Sequence, residues 1–224
     1  MKRTLLLLAL AATSLSAAAQ TKTATATTQA APAGYQNMMA ATIQELMQTG
    51  DPNALKASAA KLERAATVAP QDWLPRYYQA YALTISARQG TETDQLLDQA
   101  EAALAQARKL NGDKSELLAL QALIEQGRIR VDFMGRGQEY VMRSNEAAMQ
   151  AKALNPANPR PYLLLATNVY YTPEAYGGGS AVAKPLFEQA KAKFEAFRPA
   201  SALAPDWGNS QVLDFLKKSG TAAN

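Results

Sequence analysis

The residues best suited to ligand chemistry lie in one segment, YYTPEAYGGGS at positions 170–180, which places three tyrosines beside three consecutive glycines. Tyrosine offers an apolar ring together with a hydroxyl group, a combination that suits recognition surfaces. Glycine can expose backbone amides and adopt conformations closed to other residues. The segment has two interpretations: a binding element, or a tight turn whose tyrosines pack against the next helix.

The composition excludes most catalytic chemistry. The sequence contains no histidine and no cysteine, so Cys–His nucleophiles, Ser–His–Asp triads and the usual zinc sites are absent. It also lacks a GxxxxGK[ST] phosphate loop and a GxGxxG after a strand. Asp132 with Glu139, or Glu174 with Asp206, could act as hydrolytic carboxylate pairs, but a charged helical surface yields such pairs by chance. We expect a protein that is not an enzyme and that uses no metal or cofactor. A carboxylate-based hydrolase ranks third among the functions considered.

The elements that position these residues are predicted from a repeated spacing. A small residue is followed five positions later by a turn residue and ten positions beyond that by alanine, and no alternating strand pattern occurs after the N-terminal leader. The three copies are Ala65–Pro70–Ala80, Ala107–Gly112–Ala122 and Ala151–Pro156–Ala166. A helix that ends, a turn and a closely packed next helix are typical of an α-solenoid. The sequence therefore predicts an all-α fold.

The last copy of the pattern resembles the tetratricopeptide repeat (TPR) family. The junction AKALNP at 151–156 matches the repeat boundary, and an aromatic, a leucine and small residues follow at the expected spacing. The matching positions are Tyr162, Leu165, Ala166, Val169, Ala183, Phe187 and Ala190. The resemblance covers about residues 35 to 198. The turns are spaced more widely than the usual 34 residues, at a period closer to those of armadillo and HEAT repeats, which are the alternative.

The resemblance implies a TPR-like superhelix of about four helical hairpins over residues 34–220, closed by a capping helix near 209–218. The expected pairs are 35–48 with a helix to about 68, 74–87 with 94–110, 115–129 with 138–154, and 161–171 with 181–197. The third hairpin is expected to turn through a loop that contains Gly135 and Gly137.

The N-terminus has the features of a cleavable signal peptide at residues 1–19: a basic start, a short apolar core and an Ala-x-Ala site. Residues 20–33 are rich in Thr and Ala and predict a flexible leader. We expect a periplasmic or secreted protein. The lack of cysteine argues against a lipoprotein, and no other segment is long enough to span a membrane.

The net charge gives little support for a nucleic-acid partner. Removal of residues 1–19 takes away two positive charges, which lowers the formal charge from +4 to +2. The remaining charges of both signs are interspersed, as on solvated helix faces. The most basic stretch, IRVDFMGRGQ, is interpreted as solvated surface in preference to an anion site. Its neighbourhood contains Arg128, Arg130, Arg136 and Arg143.

The TPR resemblance also implies where a ligand would bind, because TPR proteins use the concave surface formed by the first helix of each hairpin. We expect exposed aromatic and polar side chains there, continued by the loop of the fourth hairpin. The predicted positions are Tyr77, Tyr81, Arg160, Thr167, Asn168, Tyr170, Tyr171, Glu174, Gly177, Gly178 and Gly179. In the alternative, Tyr77 and Tyr81 belong with Trp73 and Tyr78 to a buried stripe. Trp207 is expected to attach the terminal helix to the array.

Two functions from different classes follow. The first is an exported scaffold that binds a protein or peptide partner. The alternative is a small-molecule-binding accessory protein, because the Pro-Glu…Gly-Gly loop is similar to loops in exported TPR-like proteins associated with TRAP-type transporters. A shallow open groove would favour the scaffold. A closed, tyrosine-lined cavity near Tyr170 and Gly177 would favour the small molecule.

Overall fold

The computed structural model describes residues 33–89 and 93–221, and these residues are helical with short connections. The predictions of a signal peptide and a leader lie outside the described residues, apart from position 33. The helices are α1 (Tyr35–Gln48), α2 (Pro52–Val68), α3 (Leu74–Ala87), α4 (Thr93–Lys109), α5 (Lys114–Val131), α6 (Phe133–Leu154), α7 (Arg160–Tyr171), α8 (Ser180–Ala196) and α9 (Asn209–Thr221). None of these helices is long and apolar enough to cross a membrane.

Local sequence signals explain the helix boundaries. The Asp51 carboxylate accepts hydrogen bonds from the backbone N–H groups of Asn53 and Ala54, and Pro52 occupies the first helical position of α2. The Asp113 carboxylate caps α5 in the same way, through the N–H of Glu116 at 2.8 Å. Such caps satisfy backbone donors that have no partner within the helix, so α2 and α5 begin where the sequence supplies an acceptor.

Consecutive helices pack as neighbours, in the pairs α1–α2, α3–α4, α5–α6 and α7–α8, and α9 packs on α8. The repeated alanines lie at the contacts between them: Ala80, Ala122 and Ala166 are all fully buried. A small side chain is needed there because it lets two helix backbones approach. The predicted all-α architecture is confirmed, and the arrangement is consistent with a helical superhelix.

The connection between α5 and α6 differs from the prediction. A loop with Gly135 and Gly137 was expected, but both glycines lie inside α6, which begins at Phe133. Asp132 is the connection, and its carboxylate accepts the N–H of Gly135 at 2.8 Å. The aspartate thus starts a new helix immediately, and the two glycines do not interrupt it.

The segment before α9 ties the terminal helix to the first helices of the hairpins. The indole N–H of Trp207 donates to the Tyr77 hydroxyl at 2.8 Å, and the Tyr78 hydroxyl donates to the Leu203 carbonyl at 3.0 Å. Gly208 follows with φ of 112°, and an added Cβ would meet Phe194 and Leu163. Trp207 therefore attaches the terminal helix, as predicted.

Candidate functional site

A cleft of about 320 Å³ opens between α3, α5, α7 and α9. Three of these are the first helices of successive hairpins, and α9 supplies the fourth wall. The lining residues are Ile85, Arg88, Gln89, Gln126, Arg130, Leu164, Thr167, Gln211 and Phe215. We call this the inner cleft. Its volume is at the lower end of the range of about 300–1,000 Å³ typical of small-molecule sites.

One part of the inner cleft is apolar. Ile85 and Leu164 line it from α3 and α7, and Phe215 lines it from α9. Phe215 is held by other rings, since it stacks on Phe187 with centroids 4.5 Å apart and meets Tyr170 edge-on at 4.9 Å. This support fixes the ring at the cleft wall, where it offers a flat apolar surface.

The other part of the cleft carries two positive charges, Arg88 at the C-terminal end of α3 and Arg130 from α5, and no carboxylate is among the lining residues of the described segments. Burial lowers the pKa of Arg88, and the charge of Arg130 lowers it further. Tyr171 opposes this effect, which places its phenol in the electrostatic neighbourhood of Arg88. The cleft therefore combines apolar side chains with two arginines whose charge no carboxylate of the described lining residues balances.

Buried amide groups support the cleft from behind. The Gln126 side chain donates to the Leu164 carbonyl at 3.0 Å and to Asn168 Oδ1 at 2.8 Å. Asn168 in turn donates to Ser144 Oγ at 2.9 Å and to Asn145 Oδ1 at 2.8 Å. This network joins α5, α6 and α7, so it fixes the separation of two cleft walls.

A second charged region lies wholly inside the protein. Arg160 is fully buried, and its Nη1 donates to Glu116 Oε1 at 2.8 Å, while Nη2 donates to the Pro205 carbonyl. The guanidinium lies 5.0 Å from the ring of Phe197 and 5.4 Å from that of Trp207. Burial raises the pKa of Glu116 to about 7, against the opposing effect of Arg160. We call this region the buried arginine cluster.

Five predicted binding residues are buried, including Thr167 at 8% exposed, so the expectation that they are exposed is wrong. Tyr77 and Tyr81 are 0% and 5% exposed, and Arg160 and Asn168 are 0% and 6% exposed. Tyr77 accepts the Trp207 bond in the core, and Tyr81 packs on the same indole at 5.3 Å. The buried-stripe alternative thus describes both tyrosines. Burial raises the pKa of Tyr81 to about 12, while the charges of Arg88 and Arg160 both act to lower it.

The two tyrosines at the end of α7 differ in environment. Tyr170 is half-buried and packs against Phe187 and Phe215. Tyr171 is 59% exposed, and its ring centroid is 6.1 Å from that of Phe215. Tyr171 therefore stands beside the inner cleft with its ring accessible to solvent. Thr167, on the same helix, lines the cleft as the TPR resemblance implied.

The glycine-rich loop is a closed turn. Glu174–Tyr176 form one 3-10 turn, and the exposed Glu174 precedes Gly177, whose φ is 79°. The N–H groups of Gly177, Gly178 and Gly179 bond to the carbonyls of Glu174, Pro173 and Val169 at 2.9, 3.3 and 3.0 Å. The amides expected to meet a ligand are thus used within the loop, which supports the turn interpretation.

Several cleft residues were not predicted. Ile85 and Arg88 lie four and seven positions beyond Tyr81, so they continue the predicted tyrosine stripe towards the open end of α3. That periodicity could have identified them. Arg130 lies in the basic stretch interpreted as solvated surface. Phe215 belongs to a helix outside the repeats, so no repeat signal could have placed it in the cleft.

Together, the stacked hairpins and the inner cleft define an all-α protein with a cleft of the size of a small-ligand site. The solved structure of the HusA haemophore from Porphyromonas gingivalis matches this chain with a TM-score of 0.77 and 33% sequence identity, over 86% of this chain and 97% of that chain. The chain belongs to the family of this haemophore. No protein-family model matches the sequence, and no curated protein matches it.

This comparison corrects the sequence-based predictions. The main functional prediction, a scaffold for a protein or peptide partner, is contradicted because the matched protein is a haemophore. The alternative of a small-molecule-binding protein is favoured. The matched protein is a binding protein and no enzyme, in agreement with the non-enzymatic prediction. TPR membership is not confirmed, because no family model matches the chain.

Proposed function

We propose that the protein binds haem or a related porphyrin in the inner cleft. The observation that carries the proposal is the juxtaposition, in a relative of a haemophore, of an apolar wall and a positive edge in one cleft. A porphyrin has the same two parts, since it combines a flat apolar ring with carboxylate side groups.

The described residues fit such a ligand. Ile85, Leu164 and Phe215 offer apolar contact to a ring face, and Arg88 and Arg130 offer donors to carboxylates. The cleft opens on solvent, so part of the macrocycle would stay outside the protein. Tyr171 stands beside the opening, where its exposed ring would cover some of that part.

The sequence restricts how the protein could hold haem iron. Proteins use His, Cys, Met or Tyr as axial ligands of haem, and this chain contains no His and no Cys. Recognition through the ring and its side groups agrees with this composition. Tyr171 is the phenol that stands exposed beside Phe215, and it is our candidate if the iron takes a ligand from the cleft.

Two further features are proposed from the sequence. The N-terminal pattern at residues 1–19 supports export to the periplasm or beyond the cell, where a haem carrier would meet its ligand. The hairpin junctions support descent from a TPR-like array. In this proposal α9 is the addition that converts a stack of hairpins into a cleft.

The experiment compares Phe215→Ala with Leu213→Ala in the purified protein. Both residues lie on α9, but Phe215 lines the cleft whereas Leu213 is 47% exposed and lies outside the lining. Titration with haem, followed by the Soret absorbance, should show binding by the unaltered protein and by Leu213→Ala. Phe215→Ala should bind at least about tenfold more weakly, since a buried aromatic contact is lost.

Circular dichroism and thermal melting serve as the control, because Phe215 also packs on Phe187. A Phe215→Ala protein that keeps its helical signal and loses haem supports the proposal. Failure of the unaltered protein to bind haem would overturn it. Equal haem affinity in both variants would show that the ligand does not occupy the inner cleft.

A further inference from the structure

The arginines of this protein fall into two groups. In the first, each guanidinium has a carboxylate partner within ion-pairing distance. These pairs are Arg76 with Glu63, Arg128 with Asp98 and Glu101, Arg136 with Asp94, Arg143 with Glu139, and Arg160 with Glu116. No carboxylate of residues 33–89 or 93–221 pairs with an arginine of the second group, which comprises Arg64, Arg88, Arg108, Arg130 and Arg198. Arg64, Arg108 and Arg198 are exposed and lie outside the cleft lining, whereas Arg88 and Arg130 both line the inner cleft.

The contrast is sharpest within the basic stretch at the end of α5. Arg128 is almost buried and contacts three carboxylates, those of Asp94, Asp98 and Glu101. Arg130, two residues later, points to a different side of the helix and lines the inner cleft. The acidic residues of α4 thus neutralise one arginine and leave the other to the cleft.

Leaving these two charges together has a cost. Arg88 is half-buried, and both its burial and the nearby Arg130 act against its charge. Like charges in a partly desolvated site repel each other more strongly than in water. An anion placed between them would remove that repulsion, and guanidinium groups bind carboxylates through paired, directional hydrogen bonds.

We propose that Arg88 and Arg130 form a carboxylate clamp that selects ligands carrying two acidic side groups on one edge of an apolar ring. The clamp lies in the inner cleft, whose lining also includes Ile85, Leu164 and Phe215. This inference rests on the proposed porphyrin-binding function. It adds that the acidic edge, and not only the ring, decides which ligand is retained.

The test separates the contribution of the carboxylate side groups to binding from the contribution of the porphyrin ring. Protoporphyrin IX and its dimethyl ester share one ring, but the ester lacks both negative charges. Each is titrated into the purified protein, at equal co-solvent, and binding is followed by quenching of tryptophan fluorescence. We expect the diacid to bind at least about tenfold more tightly than the ester, because charged hydrogen bonds are lost with the ester.

Arginine variants show where the selectivity resides. Arg88→Gln and Arg130→Gln should each weaken diacid binding by about tenfold and leave ester binding unchanged. The control is Arg64→Gln, which removes the same charge from an exposed position on α2 outside the cleft lining and should change neither affinity.

The outcomes distinguish the two proposals. Equal affinity for diacid and ester in the unaltered protein would overturn the clamp while leaving porphyrin binding intact. Absence of binding by both ligands would overturn the proposed function itself. Equal weakening of diacid and ester in the cleft variants, with none in Arg64→Gln, would also overturn the clamp, because the arginines would then act on the ring. Should a variant not fold, the comparison of the two ligands in the unaltered protein still decides.

Discussion

The buried arginine cluster and the inner cleft share two helices, α5 and α7, yet their arginines have opposite surroundings. In the cluster, Arg160 is fully buried and receives Glu116, the Pro205 carbonyl and two aromatic rings as partners. In the cleft, Arg88 and Arg130 lie together without a carboxylate in the lining. The difference teaches that Glu116 makes Arg160 part of the fold, whereas Arg88 and Arg130 have no such partner within the described residues, which is the basis of the proposed clamp.

The largest effect is expected from breaking the buried pair. Arg160→Met should lower the free energy of unfolding by about 3–5 kcal/mol, because it leaves the Glu116 carboxylate buried without its partner. Urea denaturation measures this. Adding Glu116→Leu to Arg160→Met should recover much of the loss, since both charges are then gone. A cost below about 1 kcal/mol for the single change would mean that the cluster does not hold the fold.

A pH titration of stability sharpens the comparison. Folding raises the pKa of Glu116 from 4.5 to about 7, so between these values the folded protein binds a proton that the unfolded chain has released. The bound proton stabilises the folded protein fully below about pH 4.5, and this stabilisation is lost as the pH rises through about 7. The free energy of unfolding changes by up to about 3 kcal/mol over this range.

The measurement for this residue is the difference in unfolding free energy between the unaltered protein and Glu116→Gln across that range. We expect the unaltered protein to lose unfolding free energy relative to Glu116→Gln as the pH rises. A difference that stays constant from pH 4.5 to 7 would contradict the raised pKa of Glu116.

The smallest effect is expected at the cleft. Arg88→Gln removes a charge that both burial and Arg130 disfavour, so the unliganded protein should keep its melting temperature or gain slightly, by no more than about 0.5 kcal/mol. Differential scanning calorimetry without ligand measures this. A loss comparable with that of Arg160→Met would show that Arg88 holds the fold, and the contrast between the two regions would disappear.

The sequence predicted the helices well because their signals are local. The Asp51–Pro52 start of α2 and the alanine columns at 80, 122 and 166 each depend on residues within a few turns. The α5–α6 connection was mispredicted for an equally local reason: the two glycines outweighed Asp132, whose carboxylate starts the next helix.

The burial of the site residues could not be predicted in the same way. Tyr77 and Tyr81 were placed on the correct side of α3, but they are buried because Trp207, 130 residues after Tyr77, closes over them. Periodicity shows which residues share a helix face, and it does not show what distant segment covers that face. For the same reason the cleft was missed, since Phe215 reaches it from outside the repeats.

The position of α9 in the chain has a consequence for the order of assembly. A chain that emerges amino end first completes all four hairpins before residues 203–215 are available to build the last wall of the cleft. Until then the apolar faces of Ile85 and Leu164 have no ring opposite them. If the inner cleft holds the proposed ligand, the ability to bind it is acquired only when α9 has been synthesised. A protein truncated before α9 should then fold as a stack of hairpins that binds no ligand.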